Sequence, residues 1–86
     1  MEAMLVHRVQ PDYPEIARAM HLSGTVRLRA LISTDGRVRE LTVLSGNPIL
    51  ARAAVAAVSE WRYRPTLLSG QPVEVETLIT VNFVLQ

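Results

Sequence analysis

The sequence has no cysteine, no lysine and no long hydrophobic run. Without cysteine, no disulfide can hold the fold, and no thiolate can act as a nucleophile or a metal ligand. No apolar run approaches the roughly 20 residues that a membrane-spanning helix needs. The opening stretch Met1–Val6 is too short, and carries the wrong charge, for a signal peptide. We therefore expect either a cytoplasmic chain or a soluble piece of a longer protein.

The charges of the chain nearly cancel, because nine arginines stand against eight acidic residues and leave a formal net charge of +1. A nucleic-acid-binding domain is expected to carry a clear basic excess, so we expect no nucleic-acid partner. The 86 residues are 49% apolar, which suffices for a globular fold and excludes a disordered tail. A single domain of this size buries only about 60–65% of its unfolded surface, so its core is small.

The first quarter of the chain predicts a short helix after an extended segment. Residues 5–9 are apolar enough for a short strand or an ordered arm. Pro14 suits the first position of a helix, where its missing N–H costs nothing. We predict a helix over Pro14–Leu22, with Gly24 just past its end as the stop signal. This helix would bury Ile16, Ala17 and Met20.

A hairpin is predicted next. From Thr25 the hydrophobic period is two, which places Arg27 and Arg29 opposite an apolar face. That face consists of Val26, Leu28, Ala30 and Ile32. Asp35-Gly36 is a strong hairpin turn signal, because both residues tolerate a positive φ. The return strand over residues 37–44 changes faces midway, and a bulge near Arg39-Glu40 would reconcile its pattern.

A second helix and a last strand complete the pattern. Asn47 is suited to cap the helix and Pro48 to begin it. Its apolar stripe is Leu50, Ala54, Val58 and Trp61. Ser69-Gly70-Gln71-Pro72 indicates a turn, and the final strand is predicted over residues 73–85. The apolar face of that strand would be Val73, Val75, Thr77, Ile79, Val81, Phe83 and Leu85, opposite Glu74, Glu76, Thr80 and Asn82.

These elements predict an α+β fold in the order helix, strand, strand, helix, strand. A three-stranded antiparallel sheet with both helices packed on one face buries every apolar stripe. We place the last strand beside the first, which sets Glu74 and Glu76 opposite Arg27 and Arg29; such pairs support a register. This arrangement leaves the last strand at an open edge.

The open edge has two interpretations. Edge strands are usually blunted by lysine, proline or a bulge, because their free N–H and C=O groups invite another chain. Residues 73–85 contain no proline, glycine or lysine. Either something local covers the edge, such as residues 5–9 or a symmetric partner, or the edge receives a partner peptide by strand addition.

Several short motifs, in order and spacing, resemble the C-terminal domain of the TonB family, the periplasmic energy transducers of Gram-negative bacteria. The matching runs are Gln10-Pro11-Asp12-Tyr13-Pro14, Gly24-Thr25-Val26, Asp35-Gly36-Arg37-Val38, Val43-Leu44-Ser45, Trp61-Arg62-Tyr63-Arg64-Pro65 and Gly70-Gln71-Pro72-Val73. The resemblance covers about residues 8–86. It divides the chain into an N-terminal arm or short strand over residues 1–9, at the end of a linker, and a domain over residues 10–86.

The resemblance implies a docking module without cofactor or catalytic activity. Family domains bind the TonB box of outer-membrane receptors for siderophores, vitamin B12 and similar cargo as an added strand. Gln10 would then contact the box, with Pro11, Tyr13 and Pro14 holding that segment in place. The pairing strand would lie within residues 75–84, and its predicted partner-binding residues are Val75, Thr77, Ile79, Val81 and Phe83.

The resemblance also implies a setting and further partners. The full-length protein would be anchored in the inner membrane, with this domain in the periplasm, and a proton-driven motor complex would act through an N-terminal region outside this chain. Truncated family domains also exchange strands into homodimers. The alternative within the same fold is an accessory domain of a membrane sensor peptidase or another envelope protein.

Other candidate sites have weaker support. His7 and His21 lack the spacing of a metal site, and nothing in the sequence supports a catalytic group from Ser45, His21 and Asp35. Tyr13 and Trp61 could stack on a ligand, but a tryptophan that ends an apolar stripe is usually buried with its indole N–H bonded. We therefore expect both aromatic residues to belong to the core.

Overall fold

A computed structural model of the chain describes residues 4–85. In chain order the elements are β1 (Met4–His7), α1 (Glu15–Ala19), β2 (Gly24–Ile32), β3 (Val38–Ser45), α2 (Pro48–Val58), β4 (Arg62–Arg64), β5 (Thr66–Leu68), β6 (Gln71–Val73) and β7 (Val75–Phe83). The main sheet has the strand order β3-β2-β7, while β1 pairs with β4 and β5 with β6. All of these pairings are antiparallel. The α+β class and the three-stranded sheet are confirmed.

The central strand β2 supplies the middle of the core. Its predicted inward residues Val26, Leu28, Ala30 and Ile32 are at most 1% exposed, whereas Arg27 and Arg29 lie on the exposed face. The core cluster also contains Ala17 of α1, five residues of α2 or just beyond it, and Ile79, Val81 and Phe83 of β7. Both helices therefore pack on the same face of the sheet, as the pattern predicts.

The predicted bulge in β3 is present. Ile32 pairs with Val38 and Leu31 with Glu40, so Arg39 is the extra residue between two successive pairs. Because one extra residue swaps the faces of a strand, both Val38 and Leu41 pack against the core. A second irregularity follows near Leu44, since Leu28 pairs with Val43 and Arg27 with Ser45.

Helix α2 is built as its sequence predicts. The Asn47 side chain accepts a hydrogen bond from the Ile49 N–H at 2.9 Å, and Pro48 is the first helical residue. All four residues of the predicted stripe are buried: Leu50, Ala54, Val58 and Trp61. Trp61 lies just beyond the helix, where its backbone N–H donates to the Val58 carbonyl at 3.0 Å.

The first helix is shorter than predicted. It covers Glu15–Ala19, and Ile16 and Met20 are 56% and 58% exposed, so their predicted burial is wrong. A single turn of five residues presents only Ala17 to the core. The chain leaves the helix through His21, whose φ is +55°, and Gly24 begins β2 instead of ending the helix.

The last strand is also shorter than predicted, and β4, β5 and β6 were not predicted. Glu74 lies between β6 and β7, so it does not face Arg27. Residue 27 pairs with Thr80, and the Nε atom of Arg29 lies 3.7 Å from Oε1 of Glu76 on the diagonal. Strands of three residues are too short to show a period, and β4 is held by its pairing with distant β1.

The hairpin turn contacts β4 directly. The Tyr63 N–H donates to the Gly36 carbonyl at 2.8 Å, and Arg37 forms an isolated bridge with Arg62. Gly36 has a φ of +87°, and a Cβ atom there would lie 2.0 Å from the Tyr63 carbonyl oxygen. The Asp35-Gly36 turn therefore packs directly against the backbone of Tyr63 in β4. A side chain at position 36 would clash with that backbone, so the position requires glycine.

Replacing Gly36 with alanine should destabilise the domain by about 2–4 kcal/mol, because a strained φ and a backbone clash add. Gly70→Ala is the matched control: its φ is +79°, but a Cβ atom there meets nothing within 4 Å. The control should lose only about 1–2 kcal/mol from the backbone. Urea unfolding of both variants measures the difference, and equal losses would contradict a close Gly36–Tyr63 contact.

Candidate partner-binding edge

Strand β7 has one paired side and one open side. All nine of its residues pair with β2, from Gly24 with Phe83 to Ile32 with Val75. Among residues 4–85, no strand pairs with the other side of β7. Nine residues extend over about 30 Å, and the strand contains no proline, glycine or lysine. The edge can therefore accept several backbone hydrogen bonds from a second strand.

The predicted partner-binding side chains of β7 face inward. Ile79, Val81 and Phe83 are 6%, 2% and 4% exposed, and Val75 and Thr77 are partly buried. A docked strand would pair with the backbone of these five residues, and its own inward side chains would lie beside theirs. The same side chains anchor the edge strand to the core.

The exposed side chains of β7 are those of the alternate positions. Glu76, Leu78, Thr80 and Asn82 are exposed, and Leu78 is 72% exposed. Leu78 is absent from the predicted polar face, although the sequence marks it as a large apolar residue out of phase with the buried face. Behind it on the same face lies Arg29, its pairing partner in β2.

The segment before α1 is held at two aromatic residues. The indole Nε1 of Trp61 donates to the Val9 carbonyl at 2.9 Å. Four residues later, the ring of Tyr13 packs edge-on against Phe83 of β7, with centroids 5.6 Å apart and planes at 87°. The Tyr13 hydroxyl donates to the Leu22 carbonyl. The segment from Val9 to Tyr13 therefore bridges two parts of the domain, from Trp61 after α2 to Phe83 at the end of β7.

Two of the predicted residues, Gln10 and Pro11, lie between these anchors. Gln10 is exposed and Pro11 is partly buried. The structure thus brings Tyr13 to the end of the candidate strand and leaves the Gln10 side chain accessible. The expected core role of Trp61 is confirmed, since it is 5% exposed with its N–H bonded, and Tyr13 is partly buried.

Arginines cover both anchoring aromatic rings. The Cζ atom of Arg8 lies 5.4 Å from the centroid of the Trp61 ring, and that of Arg18 lies 5.6 Å from the Tyr13 ring. A guanidinium over an aromatic face is attracted by the ring quadrupole. Arg8 precedes Val9, so its contact with Trp61 adds to the attachment of the segment before α1. Arg18 lies in α1, so its contact joins Tyr13 to that helix.

The other candidate groups do not form a reactive cluster. Ser45 pairs with Arg27 near one end of β2, and Asp35 lies in the turn at the other end. The Ser33 hydroxyl and the Arg37 backbone N–H donate to the Asp35 carboxylate and hold its pKa below the usual value. Burial raises the pKa of the Tyr63 hydroxyl. Across residues 4–85, no three His, Asp and Glu side chains lie close enough to hold a metal ion.

Comparison with known proteins decides the family. The family model described as Gram-negative bacterial TonB protein C-terminal matches residues 9–85. The chain belongs to the TonB C-terminal domain family. Protein TonB of Vibrio cholerae is 33% identical over 86 residues, which cover 98% of this chain and 35% of that protein. Protein TonB of Klebsiella pneumoniae is 41% identical over 61 residues, which cover 69% of this chain and 25% of that protein.

A solved structure supports the same assignment. The solution NMR structure of the Pseudomonas aeruginosa TonB CTD superimposes with a TM-score of 0.81 at 26% identity, over 98% of this chain and 87% of that one. The chain spans between a quarter and about a third of the two TonB proteins named above. Within residues 4–85, no helix is long and apolar enough to cross a membrane.

Removing the hydroxyl of Tyr13 should loosen the segment before α1. Tyr13→Phe keeps the ring against Phe83 and removes the bond to the Leu22 carbonyl, which we expect to cost about 0.5–1.5 kcal/mol of unfolding free energy. Hydrogen exchange of the amides of Gln10, Asp12, Tyr13 and residues 22–23 should become faster in the variant than in the original chain.

Tyr63→Phe is the matched control for this substitution. Its ring is buried, and its hydroxyl makes no side-chain hydrogen bond within residues 4–85. We expect little change in stability or exchange. If Tyr13→Phe behaves like this control, the hydroxyl does not hold the segment.

Proposed function

We propose that this domain is the receptor-docking end of a TonB-type energy transducer. In this proposal it binds the TonB box of outer-membrane receptors as a strand added to the open side of β7. The observation that carries the proposal is a nine-residue edge strand, free of blunting residues, in a domain of the TonB C-terminal family.

The geometry of the edge suits a backbone joint. A partner strand would exchange N–H and C=O bonds with β7, each worth about 0.5–1.5 kcal/mol net. The inward side chains Ile79, Val81 and Phe83 fix β7 to the core, so a pull on the partner is passed to the whole sheet. Several backbone hydrogen bonds between the two strands share a pulling force. Such a joint suits the transmission of mechanical force that is derived from the proton-motive force.

The segment around Gln10 supports the same proposal. Tyr13 ties it to Phe83 at the end of β7, and the exposed Gln10 side chain has free donors and acceptors for a bound peptide. Pro11 and Pro14 limit the conformations of this segment and so reduce the entropy lost on binding. We propose Gln10 as a side-chain contact beside the backbone joint.

The proposal also places the domain in the cell. The relatives that carry the same C-terminal region are about three to four times longer than this chain. In a transducer, the region outside this chain would anchor the protein in the inner membrane and connect it to a proton-driven motor, with the domain in the periplasm. Cargo such as siderophores would be handled by the receptor, so the domain itself acts as a binding module and not as an enzyme.

The docking proposal is tested by an NMR titration with synthetic TonB-box peptides from receptors of the same genome. We expect saturable shifts confined to residues 10–13 and 75–84. Two further peptides, each N-methylated at alternate amides, probe the joint. Only one of the two sets of amides faces β7, so one methylated peptide should lose binding and the other should retain it.

A side-chain substitution on the outer face gives a second readout. Leu78→Lys should weaken peptide binding by up to about fivefold, because it removes an apolar contact next to the edge and adds a charge. Leu68→Lys is the control, since Leu68 is also exposed but lies on β5. If no box peptide shifts the β7 amides of the folded monomer, the docking proposal is wrong. The accessory-domain alternative then takes its place.

A further inference from the structure

A polar cavity of about 520 Å³ lies where four elements meet, away from β7. It is open to solvent on one side, and the end of β1, the start of β3, the end of α2 and the start of β4 border it. Its lining residues are His7, Val9, Arg37, Val38, Arg39, Ser59, Glu60 and Arg62. Strands β3 and β7 occupy opposite sides of β2, so this basic cavity is separate from the candidate docking edge.

The lining carries more positive than negative charge. Three arginines and one glutamate leave a formal charge of +2 with His7 neutral, and the Asp35 carboxylate beside Arg37 reduces it to +1. Arg37 is already paired, because its Nε atom lies 3.4 Å from the Asp35 carboxylate. Within residues 4–85, Arg39 and Arg62 have no such ion pair. Two guanidinium groups thus remain to bind an anion.

The backbone places two of the lining arginines, Arg37 and Arg62, directly opposite each other. Arg37 and Arg62 are direct bridge partners on neighbouring chains, and like charges at directly opposed positions repel. Arg39 is the extra residue of the β3 bulge, and a bulge redirects a side chain relative to a regular strand. Arg37 and Arg62 are therefore like charges held at opposed positions. An anion between them would convert the repulsion into attraction.

We propose that the basic cavity binds a divalent or polyvalent oxyanion, carried by a phosphate or by a dicarboxylate. Guanidinium groups are planar forks that bind either group in a bidentate manner. Phosphates and dicarboxylates are much smaller than 520 Å³, so the cavity could also hold part of the molecule that carries the anion. Arg39 and Arg62 are the primary contacts, with His7 and the Ser59 hydroxyl as additional donors.

The test is an NMR titration of the domain with inorganic pyrophosphate in one arm and malonate in the other, at constant ionic strength. Constant ionic strength matters because exposed charges are screened by salt. We expect saturable shifts at His7, Arg37–Arg39 and Ser59–Arg62 in at least one arm. The arm with the tighter dissociation constant identifies phosphate or dicarboxylate as the ligand chemistry.

Arg39→Gln and Arg62→Gln should each weaken binding by about tenfold or more, because each removes a charge-assisted hydrogen bond. Arg27→Gln is the matched control, since it removes the same charge from an exposed position on the main sheet. Both Arg39 and Arg62 are exposed, so the variants should fold, and their spectra verify this before titration.

Two outcomes would overturn the proposal. In the first, neither anion gives saturable shifts below about 10 mM, a range in which even weak specific sites are half-filled. In the second, Arg27→Gln weakens binding as much as Arg39→Gln, which means that the anions follow net charge and not the cavity. Should Arg62→Gln disturb β4, Arg39→Gln alone decides between these results, because Arg39 lies in a bulge outside the regular pairing.

Discussion

The pairing of β2 with β7 is the constraint on which the rest of the structure depends. Nine consecutive residue pairs align the inward side chains of both strands, so that Leu28 and Ile79 meet over the same core. The same ladder uses one side of β7 and leaves the other without a partner strand within residues 4–85. The core and the candidate docking edge are therefore two consequences of one pairing, and a register slip would destroy both.

Trp61 and Tyr13, the aromatic residues of the two aromatic-proline motifs, attach the segment before α1 to the rest of the domain. Trp61 holds the Val9 carbonyl, and Tyr13 holds the end of β7 and the Leu22 carbonyl. An extended segment with few backbone partners of its own is fixed in place by these side chains. The family motif around Gln10 is thus fixed beside the candidate docking edge, and if this edge binds a peptide, that attachment would lower the entropy cost of binding.

The sequence predicts the long elements well, because their signals are local. The period-two pattern of β2, the Asn47-Pro48 start of α2 and the face change near Arg39 each depend on neighbouring residues, and each is present. The predicted α1 is too long. Ile16 and Met20 match a helical period, but both side chains stay exposed because no neighbouring element within residues 4–85 covers them. The three-residue strands have no period, so only their partners define them.

For the candidate site, composition and alternation are enough to predict the strand and its lack of blunting residues, because both are local properties of the sequence. The packing of the sheet is what buries the inward side chains of β7, leaves Leu78 exposed and brings Tyr13 to Phe83. The tertiary fold alone brings Arg39 and Arg62 to one cavity. Contacts between residues more than 20 positions apart depend on how the sheet and helices pack, which no local pattern encodes.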